Sequence, residues 1–217
     1  MSTDQQRATA SVPAQLGGAP RPAGPASADR SPALALVLVV AGAAGVLASW
    51  VITLDKFRLL EDPGFQPGCS LNPVVSCGNI MKSEQAAVFG FPNPMLGLVA
   101  YGVLLCVGMS LLAGARFPRW YWLTCTAGCL FGVGFVSWLQ FQSLYRINSL
   151  CLWCCLAWVA TIVSFWSLTA FTVRRGLLPA PAAVRAFFTE FTWVPPALHV
   201  AAVGMLVLTR WWDFWTS

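Results

Sequence analysis

The sequence predicts an all-α integral membrane protein, a four-helix transmembrane bundle followed by a fifth C-terminal transmembrane helix. Three observations lead there. Charged residues make up 10% of the 217 and hydrophobic residues 57%, where a soluble domain carries about 25% charged residues. Mean hydropathy is +0.67. The apolar residues lie in long unbroken runs separated by short stretches of Arg, Pro and Gly, the pattern of spans and connecting loops. The net charge of +5 resides in arginines between those runs. There it bears on topology and gives no reason to expect a nucleic-acid partner.

Residues 1–31 are rich in Ala, Pro, Gly, Ser and Gln without apolar periodicity and read as a disordered tail. The run from Ala33 to Leu54 is about 22 residues, too long for the apolar core of a cleaved leader (roughly 7–15), so it reads as an uncleaved first span. A polar stretch, 55–92, carries Cys69 and Cys77 among turn-forming Pro and Gly, with a short helix expected over Met81–Phe89. Pro92 and Pro94 open the second run, Met95–Ala115, because proline fits the first turn of a helix. After the turn at Arg116–Arg119 the third run covers Trp120–Leu144. The fourth, about Leu150–Val173, begins within Cys151-Leu-Trp-Cys154-Cys155 and stops at Arg174-Arg175. Residues 176–190, with Pro179 and Pro181, read as a loop. A weaker fifth run spans about Phe191–Thr209, and Trp211, Trp212 and Trp215 form an interfacial belt behind it.

Five crossings distribute the cations unevenly. One side receives Arg7, Arg21, Arg30, Arg116, Arg119, Arg174, Arg175 and Arg185. The other receives Lys56, Arg58, Lys82, Arg146 and Arg210, nearly balanced by Asp55, Glu61, Asp62, Glu84 and Asp213. The positive-inside rule makes the first side cytoplasmic, with the N-terminus on it. Cys69, Cys77 and the start of the fourth helix then share the extracytoplasmic face of a plasma or inner membrane, where disulfides persist.

Two dithiols on one face suggest a relay, since exchange needs only a thiolate in line with a disulfide. Cys151 stands at a helix N-terminus, where free N–H groups favour a thiolate. A pair at the membrane boundary calls for a lipid-soluble electron acceptor, and a quinone is the obvious class. Other readings stand beside this one. Cys69 and Cys77 could form a plain staple, and both pairs together could hold zinc, although C-x7-C is unlike the usual short zinc spacings. Cys106, Cys125, Cys129 and Cys155 read as packing groups. So does His199, while Gly128, Gly132 and Gly134 read as sites of close helix packing.

Cys69-x7-Cys77, Ser83 six residues on, Gly90-Phe-Pro-Asn93-Pro-Met-Leu-Gly97 and Cys151-x-x-Cys154 together resemble the vitamin K epoxide reductase family over about residues 33–173. The likeness is to its bacterial, actinobacterial-type, stand-alone members. It implies a catalytic transmembrane domain over 32–175, four helices around a quinone, and 176–217 as an appended loop and fifth helix. It also implies that Cys69 and Cys77 accept electrons from a secreted or membrane-tethered thioredoxin-fold (DsbA-like) thiol oxidase supplied as a separate chain. Cys77 would pass them to Cys151, and Cys154 would face a membrane menaquinone or ubiquinone. Asn93 matches the asparagine that hydrogen-bonds a quinone carbonyl, and Ser83 a loop hydroxyl beside the site. Trp158 stands where the animal enzymes have a tyrosine. Trp donates only through its indole N–H, so stacking on a quinone ring is its expected role, and reduction of vitamin K epoxide is the alternative activity.

Overall fold

The computed structural model describes residues 31–216. The expected N-terminal tail, apart from Ser31, lies outside the described residues. Every regular element among them is helical: α1 (Pro32–Glu61), α2 (Cys77–Lys82), α3 (Asn93–Leu112), α4 (Arg119–Gln142), α5 (Leu152–Arg174), α6 (Ala182–Glu190), α7 (Val194–Arg210) and α8 (Trp212–Thr216). A 3₁₀ turn, Glu84–Ala87, follows α2, and a π-helical turn, Ser143–Ile147, extends α4. Four helices are long and apolar enough to cross a membrane: α1, α3, α4 with its π turn, and α5.

α1 begins where Ser31 Oγ accepts the Leu34 N–H and Pro32 takes the first helical position. It runs seven residues past the apolar stretch, to Glu61. Charges end a hydropathy run but not a helix. Ile52 and Leu59, two turns apart, both stay buried on one face. The helix expected at Met81–Phe89 is split into α2 and the 3₁₀ turn, because Ser83 caps the end of α2, its Oγ donating to the Ile80 carbonyl (2.7 Å).

Packing follows the order α3–α1–α5–α4, and α3 and α4 make no extended contact with each other. The α1–α3 seam is the tightest. A Cβ on Gly108 would lie 2.8 Å from the Val39 backbone nitrogen, and one on Gly42 would lie 2.7 Å from that of Leu105. Glycine at these crossings lets the backbones meet, the mode of association available where apolar burial gives little advantage over lipid. The glycines expected to do this on α4 do not. A Cβ at Gly128 or Gly134 would meet nothing within 4 Å, and at Gly132 only the Thr161 methyl at 3.5 Å. With α3 standing off, small residues on α4 make space instead of contact.

The segment expected as a loop over 176–190 contains α6. Pro179 and Pro181 precede this helix rather than interrupt it, and Phe188 is buried against Ala170 and Val173 of α5. α6 and α7 meet at a bend of 75°. α7 has 17 residues, about 25 Å at the usual rise, short of a hydrocarbon core of about 30 Å. A fifth span therefore requires α6 and α7 together as one broken crossing.

Candidate redox site

The connections 62–92 and 143–151 meet at one end of the bundle. The first is shaped by Asn72, whose Oδ1 accepts the Val74 (3.0 Å) and Val75 (2.7 Å) N–H groups, while Leu71 N–H donates to Val75 O. Ser70 Oγ accepts the Gly78 N–H (3.2 Å), which closes the turn and leaves the Cys69 and Cys77 Cα atoms 5.7 Å apart in a disulfide. In the second connection Asn148 takes a left-handed conformation (φ 54°), and Ser143 Oγ donates to Ser149 O.

A single parallel bridge, Val75 to Leu150, joins the two. Leu150 N–H donates to Val74 O (2.8 Å) and Ser76 N–H to Leu150 O (2.9 Å). Asn79 Nδ2 donates to Ser149 Oγ (3.1 Å). Cys151 directly follows Leu150, and Cys77 lies two residues after Val75. The sulfurs of Cys69, Cys77 and Cys151 consequently lie within 4.8 Å of one another. They pack with Ile52, Leu59 and Met81, and Cys77 and Cys151 are fully buried, whereas Cys69 keeps 7% of its surface. Two of the three sulfurs are bonded to each other, which withholds both lone thiolates from a metal in this state.

Cys151 is the N-cap of α5, and its Sγ accepts the Cys154 N–H at 3.4 Å. Its thiol is held below the ordinary value. The side-chain hydrogen bond with Cys154 is the main cause, the Cys154 and Trp153 N–H groups add to it, and burial together with the Asp55 charge oppose it. Cys151 and Cys154 are free thiols.

Cys154 opens onto a cavity of about 560 Å³ between α3 and α4, walled at the back by α1 and α5. Its walls are largely apolar, including Leu104, Phe135, Val136, Leu139 and Trp158, and they run down to Trp120 and Tyr121 at the other end of α4. Asn93, Ser83 and Gln85 stand at the cysteine end. Asn93 is the first residue of α3 yet does not cap it. Its Nδ2 donates to Gln85 O (2.7 Å) and its Oδ1 accepts the Val88 N–H (3.1 Å). One amide hydrogen of Nδ2 is left to donate. Ser83 lines the cavity with its hydroxyl hydrogen on Ile80 O. Trp158 is buried between the cavity and Leu144, Leu150 and Trp211.

Cys69, Cys77 and Cys151 are thus brought together, and Cys154, Asn93, Ser83 and Trp158 line the cavity beside them. Other contributors carried weaker signals. Tyr101 spans from α3 to α5, its hydroxyl 2.8 Å from Ala157 O and 2.6 Å from Thr161 Oγ1. Gly45 leaves room for its ring. Cys125, Cys129, Gly128 and Gly132 line the cavity as well; their spacing of three and four residues marks one helix face, although it does not say whether that face meets a helix or a void. Cys155 packs beside Leu150 and Trp158, and His199 Nδ1 accepts the Trp166 indole N–H (3.2 Å).

No individual curated protein matches the chain. Among known families, vitamin K epoxide reductase matches residues 36–169, the segment from early α1 to late α5 that contains both cysteine pairs and the cavity. The chain belongs to the vitamin K epoxide reductase family and is a membrane oxidoreductase.

Proposed function

We propose that the protein re-oxidises a thioredoxin-fold (DsbA-like) thiol oxidase on the extracytoplasmic side of the plasma or inner membrane and passes the electrons to a membrane quinone, supporting disulfide formation in exported proteins. The observation that carries this reading is the cluster of three sulfurs, Cys69, Cys77 and Cys151, within 4.8 Å, directly above a cavity that Cys154 enters.

Cys69 is the more exposed of the loop pair and is the atom a partner thiolate attacks. The Cys69–Cys77 bond breaks, Cys77 leaves as thiolate, and the partner's second thiol displaces Cys69, so the partner departs as a disulfide. Buried Cys77 then attacks Cys151 of an oxidised Cys151–Cys154 pair, and Cys154 leaves as thiolate. Cys69 resolves the Cys77–Cys151 bond. That step restores the loop disulfide and leaves both electrons on Cys151 and Cys154, the distribution of bonded and free sulfurs found here. Cys151, with its lowered pKa, is suited to close on Cys154 when the electrons leave.

The cavity suits a quinone: it is apolar, extends most of the length of α4, and offers the spare Asn93 N–H at the cysteine end. A bound quinone would accept two electrons and two protons and depart as the quinol. Asn93 would orient a carbonyl, Ser83 would offer its oxygen beside it, and Trp158 would press on the ring. The purified protein with a reduced thioredoxin-fold donor should reduce a short-chain menaquinone, and Cys154→Ala should abolish this. Dithiol-driven reduction of vitamin K epoxide with no quinone reduction would favour the alternative activity. One bound zinc per chain with inert cysteines would contradict both.

A further inference from the structure

α7 lies beyond the family-matched segment, yet its end reaches the redox site. Arg210 Nε donates to the Leu144 carbonyl (3.0 Å), and its Nη2 donates to Asn148 Oδ1. Both acceptors belong to the turn that leads into Cys151. The last carbonyls of a helix lack partners and carry partial negative charge, so a cation there both satisfies and stabilises them. Asn148 is the left-handed residue of that turn, and two residues later Leu150 makes the bridge to Val75. Next to Arg210, Trp211 is buried at 9% exposure against Leu144, Leu150 and Trp158. Val207 and Val203 lie one and two turns before it and join the same cluster. One element thus grips the turn that presents Cys151 and backs the aromatic wall of the cavity.

We propose that Arg210 and Trp211 are positioning residues: the C-terminal extension holds the Cys151 turn against the Cys69–Cys77 loop and so sets the rate of exchange between the two pairs. The rate statement rests on the function proposed above, while the mechanical statement does not.

The test uses the full chain in detergent micelles with two readouts: hydrogen exchange of the Leu150 and Ser76 amides, and dithiol-driven reduction of a short-chain menaquinone. Losing a charged hydrogen-bond donor at such a turn corresponds to about tenfold. Arg210→Ala should speed both amides by about that factor and lower kcat by a similar one while KM for the quinone stays within about twofold. Arg210→Lys should recover part of both. His199→Ala, which releases α7 from Trp166 of α5 away from this turn, should leave both readouts at the wild-type level. Equal effects of His199→Ala and Arg210→Ala would overturn the proposal, since α7 would then be a packing element only. Unchanged amide exchange in Arg210→Ala would also overturn it. If the wild-type chain reduced no quinone, the function above would fall, and the amide readout would still decide this inference.

Discussion

Asn93 offers a prediction whose size follows from its contacts. Its carboxamide is 8% exposed and holds two backbone groups of the preceding turn, Gln85 O at 2.7 Å and Val88 N–H at 3.1 Å. Each bond contributes about 1 kcal/mol net, so Asn93→Ala should lower stability by about 2 kcal/mol. The spare N–H is a separate quantity. Losing one neutral donor to a carbonyl in a water-poor cavity costs about 1.4 kcal/mol, which is about tenfold in quinone affinity. Asn93→Asp removes the donors at nearly constant side-chain volume. It keeps an acceptor for Val88 N–H and removes every side-chain donor once ionised. Quinone titrations of dithiol-driven turnover, paired with thermal melts, read both. Both variants should raise KM by about tenfold, and Asn93→Asp should melt no higher than Asn93→Ala, because its buried carboxylate faces Gln85 O where the amide donor stood. If stability falls while KM holds, Asn93 only ties the loop, and its role in orienting a carbonyl is refuted.

Two further expectations concern the helix seam and the pH response. Gly108→Leu should destabilise the fold by about 1–3 kcal/mol in thermal melts, whereas Gly134→Leu, facing open space, should stay within about 0.5 kcal/mol. Because the Cys151 thiol is held below its ordinary value, its thiolate fraction rises with pH earlier than that of a free thiol. The acid limb of turnover should therefore lie at lower pH than the titration of an unperturbed cysteine, and removing the Cys154 sulfur should shift the Cys151 titration upward.

Much of this was legible in the residues. The spans follow from hydropathy, and the cysteine spacing with the Asn93 segment pointed to the site. What stayed hidden was set by backbone pairing and by distance between helices. Nothing in Val75 or Leu150 announces that they pair, yet that bridge places Cys77 beside Cys151. The glycines of α4 looked like packing residues because a small side chain serves a contact and a cavity equally well. Only the separation of α3 from α4 decides between them. Asp55–Glu61 looked like loop because charge ends a hydropathy run, while the buried face through Ile52 and Leu59 continues the helix. Arg210 read as a loop cation until α7 brought it to Leu144 and Asn148.

The relay stands or falls on whether Cys77 and Cys151 bond to each other. Cys154→Ala removes the thiol that would release Cys151, so Cys151 can attack the loop disulfide and remain bonded. Non-reducing electrophoresis with mass spectrometry of linked peptides identifies the product. The expected product is a Cys77–Cys151 disulfide with Cys69 free to alkylate. An intact Cys69–Cys77 bond with free Cys151, or a bond from Cys151 to Cys69, would contradict it.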